Sequence, residues 1–101
     1  MIKLEVENGF IEYRLPNPEE ALMLMHHCDL GAEGQSLYLM ASKVMKHLSP
    51  FIVKVEIKKD EEMIDSYEKL SKELYYLNDL LNIVGRILEA IMGGVTAKKK
   101  S

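Results

Sequence analysis

Three stretches of the chain alternate strictly between apolar and polar residues, and four repeat their apolar residues at helical spacing. Ile2, Leu4 and Val6 alternate with Lys3, Glu5 and Glu7. Ile11, Tyr13 and Leu15 alternate with Glu12 and Arg14, and Phe51, Val53, Val55 and Ile57 with Lys54, Glu56 and Lys58. A period of two places each apolar set on one face of a strand. Between the first two strands lies Asn8-Gly9, the dipeptide that a tight type I′ hairpin turn favours. With those two residues as the loop, Val6 faces Ile11, Leu4 faces Tyr13 and Ile2 faces Leu15. The same register sets Glu5 against Glu12 and Lys3 against Arg14, relieved only by their diagonal neighbours.

The helical stretches begin with a strong start signal. Asn17 stands where an N-cap belongs, Pro18 at the first helical position, and Glu20 where a capping-box acid reaches back. A first helix from Pro18 to Cys28 follows, with Ala21, Leu22, Leu24, Met25 and Cys28 on its buried side and Gly31 as a left-handed C-cap. Gly34 loosens the link. A second helix spans Gln35 to Leu48 with Leu37, Met40, Ala41, Val44 and Leu48 inward, and Ser49-Pro50 stops it. After the third strand, Lys58 to Glu62 reads as a polar turn with Met63 and Ile64 packing beneath. Ser66 caps a helix carrying Tyr67, Leu70, Leu74 and Leu77, and Asn78-Asp79 interrupts the chain. The last helix shows Leu80, Ile83, Val84, Ile87, Leu88 and Ile91, and Gly93-Gly94 ends it.

The pattern predicts an α+β domain of order ββααβαα: an N-terminal β-hairpin plus a third short strand, packed with about four α-helices. Residues 1–94 form a single compact domain and residues 95–101 a flexible lysine-rich tail. A chain of 101 residues buries roughly two-thirds of its unfolded surface, enough for a core without disulfide or metal. Leu, Ile and seven Met supply that core, since Trp is absent and Phe occurs only at 10 and 51. The net charge of −3 argues against nucleic acid, and the single cysteine fits a reducing compartment. No signal peptide and no apolar run of membrane-span length is seen, so a soluble cytoplasmic protein is expected.

Candidate chemistry is sparse. His26-His27-Cys28-Asp29 is one cluster of ligand-type residues, but adjacent helical side chains diverge by about 100° and cannot face one ion together. His47 joins them only through tertiary folding. The pairs Glu19-Glu20 and Glu61-Glu62 read as helix-start and turn charge, and the glycines at 31, 34, 93 and 94 form no phosphate loop. Of Tyr75 and Tyr76, one is expected in the core and one at the surface. No enzyme, no cofactor and no metal is expected. What remains is apolar surface: Leu22-Met23-Leu24-Met25 wraps around the first helix, and the last helix is apolar beyond one stripe. Met23, Met25, Leu81, Ile87, Leu88 and Ile91 are the candidate partner contacts.

Several of these features together resemble the small tail assembly chaperones of long-tailed bacteriophages. The resemblance is carried by Tyr13-Arg14-Leu15-Pro16-Asn17-Pro18-Glu19-Glu20 after a strand, Gly31 after the first helix, and Leu48-Ser49-Pro50-Phe51 before Val53-Lys54-Val55-Glu56-Ile57. It continues through Ile64-Asp65-Ser66-Tyr67-Glu68-Lys69-Leu70, the final apolar helix and the lysine-rich end. The resemblance implies a non-enzymatic protein that binds and solubilises apolar helical segments of the tape measure protein during tail assembly, in the bacterial host cytoplasm. It also implies contact with tail tube protein. Self-association is expected from the excess apolar surface, and no membrane partner is expected because no apolar run spans one. Such genes often carry a programmed frameshift near their end, and lysine codons at Lys98-Lys99-Lys100 suit one; a solubilising basic tail explains the same residues. A virion structural or connector protein, and a regulatory protein-binding module encoded by a mobile element, are the alternatives from other classes.

Overall fold

The computed structural model describes the backbone of residues 1–30 and 34–99, with side chains through 94. One antiparallel sheet carries the strands β1 (Ile2–Val6), β2 (Gly9–Tyr13), β3 (Ile52–Lys59) and β4 (Glu62–Ile64) in chain order. The helices α1 (Pro18–His27) and α2 (Leu37–Lys46) are inserted between β2 and β3. A short α3 (Tyr67–Leu70) and the long α4 (Leu77–Lys99) follow the sheet. The α+β class and the predicted order hold, with β4 added.

The first hairpin closes one position earlier than Asn8-Gly9 predicts. Val6 pairs with Gly9, so Glu7 and Asn8 form the loop, and Leu4 faces Ile11 and Ile2 faces Tyr13. Only Asn8 of this turn has positive φ, at 71°, as a type II rather than a type I′ turn requires. The change of two in register keeps every side chain on its predicted face. It also removes the like-charge conflict. Lys3 now faces Glu12, and Glu12 faces Lys54 on the other side, a row of alternating charge across the outer face. Phe10 lies on that face too, with the Lys3 ammonium 4.3 Å from its ring centroid.

Gly9 is required for a different reason than its turn. A Cβ built there would run into the Glu56 carbonyl oxygen and lie 2.8 Å from the Ile57 Cα, so only glycine lets β3 approach. At the far end of this seam a bulge between Glu12 and Tyr13 shifts the register, and Val53 is the extra residue on β3. Val53, predicted inward, is therefore 45% exposed, while Phe51, Val55 and Ile57 are buried. The Lys58–Glu62 stretch, predicted as a turn, is the β3–β4 hairpin instead. Lys59 pairs with Glu62 around Asp60, whose φ is 56°, and Ile64 is buried as expected.

One face of the sheet meets the helices. Ile11, Tyr13, Val55, Ile57 and Ile64 form a single core with Leu24, Cys28, Val44, Leu48, Leu70, Tyr76 and the inner stripe of α4. On α4 that stripe is Leu80, Ile83, Val84, Ile87 and Ile91, all buried. Asn82, Gly85, Arg86 and Glu89 lie opposite and exposed, a division that the 3.6 period dictates.

Three helix boundaries differ from the sequence pattern. The Tyr67 helix is a single turn, because the chain is extended at Glu73 before a 3₁₀ turn, Leu74–Tyr76. That break lets Leu70 and Tyr76 both reach the core and turns Leu74 outward. The interruption thus precedes Leu77 and does not fall at Asn78-Asp79. The second helix spans Leu37–Lys46, with Ser36 as its cap accepting from the Leu39 N–H. Finally, Gly93-Gly94 does not end the last helix, whose backbone continues to Lys99. Gly31 lies outside the described residues.

Candidate partner-binding surface

The surface is organised by how α1 is fixed. Asn17 accepts from the Glu20 N–H at 2.8 Å, and the Glu20 carboxylate accepts from the Asn17 N–H at 3.0 Å, the reciprocal capping box. Arg14, at the end of β2, donates to both Glu20 oxygens at 2.7 Å. The Arg14 guanidinium and the Asn17 N–H hold the Glu20 carboxyl down to about 2. The Arg14 N–H donates to the Phe51 carbonyl, and its guanidinium sits 4.9 Å from the Phe51 ring. Strand, cap and α1 are thereby tied into one joint, which sets the direction in which α1 presents its outer side chains.

Two apolar grooves flank α4. One runs between α1 and the second half of α4, encloses about 350 Å³, and is walled by Pro16, Pro18, Leu22 and Met25 against Ala90 and Ile91. Leu22, predicted inward, is 67% exposed on its rim. The other lies between α2, α3 and the start of α4 and encloses about 620 Å³. Its walls include Tyr38, Met45, Tyr67, Leu77 and Leu81, and the Tyr67 hydroxyl donates to the Met45 carbonyl at 2.8 Å, bracing α3 on α2. Tyr38 is 80% exposed.

The six residues singled out by pattern do not share a site. Met25 and Ile91 line the first groove, Leu81 the second, and Met23 a third cleft with His27 and His47. Leu88 is half-buried against the core. Ile87 has 0% exposure and belongs wholly to the core, and Ile91, also buried, reaches the first groove only at its floor. The reason is geometric: α4 is covered by the sheet and by α2 along the stripe that the pattern marks most strongly. Of the six, only Met23 is exposed. Other exposed apolar residues are Leu22 on α1, Leu74 in the turn before α4, Leu77 at the first position of α4 and, on α2, Leu37, Tyr38 and Leu39. Their signal was the consecutive run Leu37-Tyr38-Leu39-Met40. Four successive helical residues point about 100° apart and cannot all turn inward.

The histidine cluster separates as its spacing predicts. Cys28 is buried, and burial pushes its thiol up, so it stays protonated. His27 stacks on His47 with ring centroids 5.4 Å apart and has the His26 ring tilted against it at 5.6 Å, all three being exposed, while Cys28 points away into the core. Among the described residues no three His, Cys, Asp or Glu side chains converge on a metal-sized space. Of the two tyrosines, Tyr76 is buried with its hydroxyl donating to the Glu7 carbonyl at 3.0 Å, and Tyr75 is exposed and donates to the Glu7 carboxylate. Among the described residues no helix is long and apolar enough to cross a membrane. Comparison with family models, with curated proteins and with solved structures returned no match.

Proposed function

We propose that this protein is a non-enzymatic tail assembly chaperone that holds apolar helical segments of a phage tape measure protein before the tail tube closes around them. The observation that carries the reading is the pair of apolar grooves beside α4, rimmed by exposed Leu22 on one side and by Tyr38 and Leu77 on the other. Grooves between helices suit an amphipathic helix laid in by its apolar face, anchored at i, i+3 and i+4. The core of this domain is complete without those residues, so their exposure is not explained by folding. The net charge of −3 keeps the loaded protein away from nucleic acid.

The proposed site of action is the cytoplasm of a bacterial host, with tail tube protein displacing the chaperone as the tube assembles. Displacement requires weak contacts at each groove, and repetition along a long client supplies the overall hold. Co-expression with the tape measure protein tests the reading. The client is expected to stay soluble and co-purify, and Leu22→Asp with Tyr38→Asp is expected to lose it while retaining the fold. A client that precipitates equally with and without the chain removes the proposal. Purified virions should lack the chain.

A further inference from the structure

The sheet has two edges of unequal character. β4, at one edge, is only three residues long, whereas β1, at the other, is five residues long and its outer side is paired by no described strand. Short strands, prolines, bulges and inward charges are the usual means of blocking an edge. β1 has no proline, bulge or inward charge, since its inward residues are Ile2, Leu4 and Val6 and its pairing with β2 is regular. The one blocking device it carries is outward charge, and Lys3 and Glu5 are of opposite sign, so an antiparallel copy can pair them. The three inward residues of β1 are also the least covered of the inward row. Ile2 is 38% exposed and Leu4 and Val6 are half-buried, while Ile11, Val55 and Ile57 beside them are fully buried.

Backbone parity shows which groups face the open edge. Asn8 accepts from the Lys58 N–H and the Arg14 N–H donates to Phe51, so the even residues of the β2 segment bond toward β3. Gly9, Ile11 and Tyr13 therefore bond toward β1, and their partners there are Val6, Leu4 and Ile2. The amides and carbonyls of Lys3 and Glu5 are left pointing outward.

We propose that β1 pairs antiparallel with β1 of a second copy across a two-fold axis at Leu4, joining two four-stranded sheets into one of eight. The strand is its own complement in that register. Lys3 faces Glu5 of the second copy and Glu5 faces its Lys3, and these are the residues whose backbone groups are free to form the ladder. Ile2 faces Val6 and Leu4 faces Leu4, completing the burial of the three inward residues. The Leu4 pair is then a non-hydrogen-bonded one, with Cα atoms about 4.5 Å apart. A shift by one residue would set apolar side chains against charged ones on both faces. No residue of β1 lines either groove beside α4, so the proposal stands independently of what they hold.

Sedimentation equilibrium on the full chain tests it, with circular dichroism confirming the fold of each variant. The mass is expected to rise with concentration toward twice the 11.6 kDa of the chain. Lys3→Glu, which makes both cross-copy pairs repulsive, should weaken association about tenfold or more, and adding Glu5→Lys should restore it to within about threefold. Lys3 and Glu5 also pair within one chain at 3.6 Å, so the intermolecular pair is isolated by mixing Lys3→Glu chains with Glu5→Lys chains. Each is like-charged at positions 3 and 5 by itself and complementary only across two copies, so the mixture should associate more tightly than either variant alone. Under mild oxidation Leu4→Cys should cross-link two copies and Ile2→Cys should not, Cys28 being buried. A monomer mass up to the millimolar range, a dimer indifferent to Lys3→Glu, or faster cross-linking at position 2 than at 4 overturns the proposal.

Discussion

Replacing Gly9 by alanine adds one methyl group, and the structure states what that group meets. It would be driven into the Glu56 carbonyl oxygen and lie 2.8 Å from the Ile57 Cα, both backbone atoms of β3. Backbone cannot swing aside as a side-chain end can, so β2 and β3 must separate locally. The nearest bond to be lost is Lys58 N–H to the Asn8 carbonyl, now 3.0 Å, with the Gly9–Ile57 pair beside it. Forced overpacking costs about 1–3 kcal/mol and a lost backbone bond about 1 kcal/mol. Against this, alanine restricts the unfolded chain and recovers about 0.4–1 kcal/mol. The net expectation is a loss of about 2 kcal/mol, a fall in Tm of about 8–16 °C for a domain of this size. Urea unfolding followed by circular dichroism measures it. Hydrogen exchange should place the loss of protection at Lys58 and its neighbours, leaving α4 unchanged. A variant as stable as the parent, or one losing protection first in α1, would refute the reasoning.

Further outcomes follow from the joint, the core and the tyrosine pair. The Glu20 carboxyl lies at about 2 in the folded chain, below its ordinary value of 4.5. The unfolded chain therefore binds the proton first, and this contribution to stability is full above about pH 4.5 and lost as pH falls toward 2; Glu20→Gln should flatten that part of the pH–stability curve. Ile87→Ala should cost about 2–5 kcal/mol in denaturant unfolding, whereas Leu22→Ser should stay within about 0.5 kcal/mol and act only on client capture. Tyr76→Phe leaves the Glu7 carbonyl without its donor and should cost about 1 kcal/mol, with faster amide exchange in the β1–β2 turn.

The parts of the fold legible in the sequence are those fixed by neighbours along the chain. The capping box at Asn17 and Glu20, the alternation of β1 to β3 and the stripe of α4 depend on residues a few positions apart. Structure departs from sequence where a distant contact decides. The hairpin register is set by the Lys3–Glu12–Lys54 row as well as by the turn, and Lys54 comes from a strand beyond two helices. Val53 is turned out by a bulge that exists only because β2 lies beside it. α3 stops early so that Tyr76 can reach the Glu7 carbonyl. The surface was legible only in part for the same reason. A strong apolar stripe, as at Ile87, marks what is buried; the uncovered residues, Leu22 and Tyr38, lie off their helices' stripes.

The placement of α1 and α2 between β2 and β3 governs the order of folding. Each hairpin, β1–β2 and β3–β4, is local and can form within microseconds. The seam between them closes only after the intervening helices have brought Tyr13 beside Ile52, an entropic toll that short-range contacts do not carry. Until then both nascent ribbons expose bare strand edges. The hazardous interval for mispairing thus precedes docking of the halves.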